Sequence, residues 1–168
     1  MLEFMNEKER YFKQVYQESR DKIYRICLGF TGNHIDADDL FQEITIKVWN
    51  NLNSFRKESN INTWIYRIST NTALQYLHKR NRSDKFRRDL KSENIITENA
   101  EHEYSDHEEQ VNRLYKAISS LKEIDRIIIG LLLEENSYSE IADITGISTS
   151  NVGVRINRIK KALSKKMK

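Results

Sequence analysis

The sequence predicts an all-α chain of two small helical units joined by a charged linker, the C-terminal unit a helix-turn-helix. Three observations carry this expectation. The 168 residues contain no proline and five glycines, so the usual helix breakers are scarce and a hairpin-rich β fold is disfavoured. Apolar residues recur at spacings of three and four, the signature of one helical face. Charge is segregated along the chain: residues 1–82 carry 13 basic and 10 acidic side chains, 83–110 carry 4 and 9, and 111–168 carry 11 and 6. Two basic units therefore flank an acidic strap, and the overall charge of +3 conceals the division.

In the first unit, expected over residues 1–82, Phe12, Val15, Tyr16, Ile23, Ile26, Cys27 and Phe30 define a first helix with a break expected near Ser19. Gly32 and Asn33 supply its stop, and Asp36, Asp38 and Asp39 the start of a second helix, because acidic groups satisfy free first-turn amides. Leu40, Phe41, Ile44, Val48 and Leu52 form that helix's inner stripe, leaving Asp39, Gln42, Glu43, Lys47 and Asn50 outward. A polar turn, "NSFRKESN", precedes a third helix that begins at Ile61 and reaches Arg82. From 83 to 110 periodicity fades into a solvated, self-repelling linker with scope for transient helix.

The second unit, 111–168, opens with Leu114, Ala117, Ile118 and Leu121 on one face, followed by the strongly apolar "EIDRIIIGLLLEEN". Gly130 inside it costs about 1 kcal/mol relative to alanine, so a close helix contact is expected there. In "SYSEIADITGISTSNVGVRINRIKKALSKKMK", Ser137 or Ser139 can cap a short helix, Gly146 can take the positive φ of a sharp turn, and Ser148 or Ser150 can cap the last helix. That order is a helix-turn-helix. With Val152, Ile156, Ile159 and Leu163 inward, Ser148, Thr149, Ser150, Asn151, Arg155, Arg158, Lys160 and Lys161 are left to meet phosphates or base edges in a major groove. Gly153 lowers the propensity of this helix and would let it approach a phosphate backbone.

Other chemistry is sparse. The single cysteine, Cys27, has apolar neighbours and reads as a buried thiol. His102 and His107 stand five apart in an acidic run without the partners a zinc site requires. No phosphate-binding glycine loop, nucleophile elbow or zinc-protease pattern occurs, and neither an enzyme nor a cofactor is expected. No apolar run is long enough to span a bilayer, so no direct membrane insertion is expected, and the N-terminus reads as that of an unexported, cytoplasmic chain.

The stretch from "HIDADDLFQEITIKVWNNLNSFRKESNINTWIYRISTNTALQYLHKRNR" resembles the second conserved region of bacterial sigma factors of the extracytoplasmic-function group, and "LKEIDRIIIGLLLEENSYSEIADITGISTSNVGVRINRIKKAL" resembles their fourth. The resemblance implies that the chain carries promoter recognition for core RNA polymerase, with no small-molecule substrate and with an anti-sigma factor as a further partner of many relatives. It implies that Asp39, Gln42, Glu43 and Trp49 dock on the polymerase, Trp49 fitting that role and a core role equally. It also implies that Asn60, Asn62, Thr63, Tyr66, Arg67, Asn71 and Lys79 contact the start-proximal promoter element, where a flipped base needs a polar or aromatic pocket. Trp64 fits the core better, on a stripe with Ile61 and Ile68. The helix-turn-helix matches the reader of the upstream element, and the acidic linker matches the segment that runs toward the active-site cleft, either mimicking RNA or merely solvated. Lys122, Gly130 and Gly153 depart from the family's usual proline, charged and polar residues. A self-sufficient helix-turn-helix regulator is the rival expectation; it needs a ligand pocket or a symmetric seam, which the first unit does not display.

Overall fold

The structure, a computed structural model, describes residues 6–90 and 105–168, the side chains of 87–90 excepted. The expectations for the remainder of the linker, including His102, lie outside the described residues. Seven α-helices are described: α1 (Glu7–Thr31), α2 (His34–Asn51), α3 (Ile61–Leu90), α4 (Asp106–Ser119), α5 (Glu123–Leu133), α6 (Tyr138–Thr145) and α7 (Thr149–Lys166), with one 3₁₀ turn at Leu52–Ser54.

Local chemistry accounts for the helix ends. Asn6 caps α1 in a reciprocal box with Glu9, and the helix runs through Ser19 without a break, because the buried hydroxyl donates back to the Val15 carbonyl at 2.7 Å. Gly32 ends α1 at φ 83° and Asn33 caps α2 through the Asp36 amide. Of the candidate caps in the C-terminal unit, Ser137 and Ser148 are the ones used, and Gly146 makes the turn at φ 75°. Two helices exceed expectation: α3 continues past Arg82 to Leu90, and α4 starts at Asp106 behind a Ser105–Glu108 capping box, ahead of Val111.

α1, α2 and α3 pack together, as do α5, α6 and α7 with α4 across them. The two groups are not held apart on a tether. α1 lies against α4 and α5, and α3 against α6, so that Ile26, Phe30, Leu40 and Ile65 share one continuous core with Ile118, Ile128, Ile141 and Ile156. Each such side chain contributes about 1.5–3 kcal/mol when fully withdrawn from water. Gly130 faces α1, but a Cβ there would stand 3.7 Å from the Ile26 side chain, an ordinary contact, so the packing does not demand a glycine.

Polar ties cross the same seam. The Arg25 guanidinium donates to both Glu134 carboxylate oxygens at 2.7 and 2.8 Å, which raises the arginine pKa through the hydrogen bond and the charge. Arg126 donates to the Phe30 carbonyl at 3.0 Å, satisfying one of the acceptors that the end of α1 leaves open. Cys27 is fully buried beside this seam, and burial pushes its thiol up to about 12.

Candidate nucleic-acid interface

The C-terminal unit presents α7 as its outer helix. Val152, Ile156, Ile159 and Leu163 are buried against α5 and α6, as the periodicity predicts. Ser148, Thr149, Ser150 and Asn151 are exposed at the helix start, and Lys160 and Lys161 are exposed farther along. The arginines are not free in the sense the sequence suggests. Asp125, 5% exposed in the first turn of α5, accepts from Arg155 Nη1 at 2.8 Å and from Arg158 Nη2 at 3.1 and 3.4 Å. The Nε of Arg155 is buried without a hydrogen-bond partner among the described residues, a cost that the bond to Asp125 offsets. The reason is electrostatic: a carboxylate withdrawn from water requires compensation, and both guanidiniums lie within reach.

Opposite the buried stripe, the spacing of four, three and four puts Ser150, Val154, Asn157 and Lys161 on the crest of α7, all exposed. Val154 and Asn157 were absent from the sequence-based candidates. Their signal was the phase of the helix, since residues farthest from the 152–156–159–163 stripe must point outward. Gly153 is half-buried and faces α6: a Cβ there would lie 3.5 Å from the Tyr138 ring. It therefore serves helix packing on that side.

A second concavity, about 600 Å³, forms between the Ser54–Asn60 loop and the start of α3. Ser54, Phe55, Arg56, Glu58, Ser59, Asn60, Thr63, Trp64 and Arg67 line it, together with Asp143 from α6. The Asn60 side chain accepts from the Asn62 amide at 2.9 Å and holds the α3 start, while Phe55 and Trp64 meet with ring centroids 5.3 Å apart. Trp64 is thus both half-buried against the core and a wall of the groove. Arg67 Nε donates to the Asp143 carbonyl at 3.1 Å.

Of the expected start-proximal contacts, Asn60, Thr63 and Arg67 gather here. Tyr66 does not: it is 5% exposed and sits in the core, near Glu134 and Asn136, with its pKa raised chiefly by burial. The packing of α6 and the segment around Glu134 against α3 covers it, so in this arrangement it does not face the groove. Asn62 is exposed outside the lining. Asn71 opens into a separate groove with Lys47, Asn51 and Gln75 between α2 and α3. Lys79 is exposed farther along α3, on the same stretch as a shallow depression lined by Gln75, His78, Asn81, Arg82 and Lys85.

The third surface is α2. Asp39 and Gln42 are exposed, and Glu43 is half-buried beside Lys47 at 3.3 Å. Ile35 and Ile46, 84% and 57% exposed, share their face at spacings of four, three and four through Asp39 and Gln42. Trp49 is drawn instead toward α1, its ring edge-on to Phe12 at 5.1 Å and under the Lys8 ammonium at 4.2 Å. Among the described residues no group of three or more metal-ligating side chains converges, and no helix is long and apolar enough to cross a membrane.

An exposed polar and basic face on α7, a groove at the start of α3 and a mixed acidic and apolar face on α2 stand on one chain. Residues 15–83 match the family model for Sigma-70 region 2, and residues 112–163 the one for Sigma-70 region 4. The RNA polymerase sigma factor YlaC of Bacillus subtilis (strain 168) is 30% identical over 95% of this chain and 91% of its own length. The chain belongs to the sigma-70 family, in its extracytoplasmic-function group. The ECF RNA polymerase sigma-E factor of Escherichia coli (strain K12) is 36% identical to this sigma factor over 79% of the chain and 74% of the relative. In fold it is similar to the sigma factor RpoE from Bartonella quintana, solved in complex with the anti-sigma factor NepR, at a TM-score of 0.75 and 23% identity, covering 94% of this chain and 97% of that one.

Proposed function

We propose that this sigma factor binds core RNA polymerase through the outward face of α2, captures a promoter base in the groove between the Ser54–Asn60 loop and α3, and reads an upstream duplex element with α7. The polymerase supplies the nucleotide chemistry, and the chain supplies recognition in the cytoplasm, where the polymerase works. The observation that carries this reading is the joint occurrence of regions 2 and 4 in family order, each with an exposed site suited to its ligand.

The physics of each surface fits its assigned partner. Asp39 and Gln42 offer charge and hydrogen bonds between the exposed Ile35 and Ile46, a pattern suited to a basic and apolar protein surface. The groove combines an aromatic wall, Trp64, with the guanidiniums of Arg56 and Arg67, which suits a single base with its phosphates. α7 has no acidic residue in its first turn and ends in Lys165 and Lys166, so phosphates are met by cations and free amides. An anti-sigma factor is the further partner we infer, in keeping with the Bartonella complex. The self-sufficient regulator is not favoured, because a docking face and a base pocket have no use in it.

Co-elution of the chain with bacterial core RNA polymerase tests this function, followed by transcription from promoters selected by the reconstituted holoenzyme. Stoichiometric binding and promoter-dependent initiation are expected. A folded chain that binds DNA specifically without polymerase, and ignores the polymerase, would refute it.

A further inference from the structure

The apolar residue on the crest of α7 is the starting point. Val154 is 68% exposed and centred on the line Ser150, Val154, Asn157 and Lys161. A single exposed apolar residue elsewhere on a surface requires no explanation. At this position it does: a β-branched side chain is a poorer helix former than the alanine or lysine that would suit a solvated face, and it adds nothing to the core behind it. It also stands where a helix entering a major groove comes nearest the base edges.

The arginines narrow the chemistry further. The commonest reader of guanine is an arginine or lysine free to reach O6 and N7. Arg155 is committed to Asp125 at 2.8 Å, and the more exposed Arg158 leans to the same carboxylate at 3.1 Å. Both lie on the flank of α7 facing α5. What the crest offers is two short polar side chains, Ser150 and Asn157, one lysine, and the two methyl groups of Val154.

We propose that Val154 is a specificity-determining residue whose methyl groups pack on the C5-methyl of a thymine in the upstream element. The element read by this chain is then marked by thymine under the middle of α7 and not by a guanine bound to Arg155. Thymine is the only standard base with a methyl group in the major groove, so an apolar contact there discriminates against the other three. This inference rests on the assignment of α7 to the upstream duplex.

The test uses the holoenzyme reconstituted from the full chain and core polymerase, with a promoter recovered by that holoenzyme from a library randomised over the upstream element. Each thymine of the recovered element is replaced in turn by deoxyuridine, which removes the methyl group and leaves pairing intact. One replacement is expected to weaken holoenzyme binding about fourfold, the value of burying one methyl-sized group. A holoenzyme carrying Val154→Ser, a change at an exposed position, is expected to lose sensitivity to that replacement. Wild-type binding unchanged within twofold at every deoxyuridine overturns the proposal, as does a Val154→Ser holoenzyme with undiminished sensitivity. An element marked by guanine without thymine also overturns it. In each of these cases promoter recognition itself stands. A polymerase-bound chain that selects no upstream sequence would fail the promoter-reading function as well, and is distinguished by that loss of selection.

Discussion

Replacing Asp125 by asparagine removes one charge while preserving shape, and the structure sets the size of the consequence. Asp125 is 5% exposed and accepts from two guanidiniums. The bond to Arg155, whose side chain is 26% exposed, is a charge-assisted bond in a largely dry setting, worth about 1.5–2 kcal/mol. Arg158 is 59% exposed, so solvent reduces its share to about 0.5 kcal/mol. A carboxylate in the first turn of α5 adds about 0.5 kcal/mol through the helix dipole. Asparagine retains one acceptor, so the net loss is about 2 kcal/mol, or about 4–8 °C in Tm for a chain of this length. Thermal unfolding followed by circular dichroism at pH 7 measures it. A second arm uses the cycle Asp125→Asn, Arg155→Met and their combination, with an expected coupling of about 1 kcal/mol or more. A shift of less than 1 °C with no coupling would refute the view that this carboxylate fixes the arginines. Released from Asp125, both side chains can reach phosphates, and the salt dependence of DNA binding is expected to steepen by up to about 0.9 per added phosphate contact.

Further outcomes follow from other surfaces. Asp39→Ala with Glu43→Ala is expected to abolish co-elution with core polymerase at an unchanged helical spectrum, because Asp39 is exposed with only a long bond from the Tyr76 hydroxyl at 3.4 Å and Glu43 pairs with Lys47 on the helix surface; retained affinity would remove α2 as the docking helix. The Cys27 thiol, raised from 9.0 to about 12 by burial, is protonated in the folded chain where the unfolded chain has lost its proton. Its contribution is therefore complete below pH 9 and declines between pH 9 and 12 as the medium becomes more alkaline, and Cys27→Ser should flatten that part of a stability profile. Gly32→Ala should cost more than Gly146→Ala in urea unfolding: both strain a positive φ by about 1–2 kcal/mol. Only at Gly32 does the new Cβ meet an obstacle, the Ser119 side chain.

What the sequence disclosed was whatever is local or periodic. The inner stripes of α2 and α7, the stop at Gly32 and the turn at Gly146 follow from spacing and from a glycine's lack of Cβ. The Asp125 pairing with Arg155 and Arg158 did not, because it joins residues about thirty positions apart, and no periodicity specifies which side of α7 meets α5. Tyr66 was misplaced for a related reason. In a helix with polar residues on several sides, Thr63, Arg67 and Asn71 mark one open face, but only the docking of α6 and the Glu134 segment buries its neighbour. The packing of the two units escaped notice altogether, since each has an adequate apolar stripe of its own.

That packing bears on how the two proposed DNA sites are used. Asp143 of α6 lines the proposed base groove and its carbonyl accepts from Arg67 Nε, so α6 competes for the guanidinium that a base with its phosphate would approach. Arg25 and Glu134 are a tie that opposes displacement: the Glu134 side chain is 6% exposed and takes both of its hydrogen bonds from Arg25, whose side chain is 45% exposed. Arg25→Ala leaves a withdrawn carboxylate without its cation and should cost about 2 kcal/mol of the closed arrangement, the lower end for a buried unpaired charge because the cation side is open to water. In the free chain, amide exchange on α6 and on the facing part of α3 should then accelerate. Affinity for a short single-stranded oligonucleotide should rise several-fold, because the groove is vacated more often. Faster exchange with unchanged oligonucleotide binding would mean that α6 moves without guarding the groove. Unchanged exchange would mean that the apolar seam through Ile26, Gly130 and Ile118 holds the units closed without help from the ion pair.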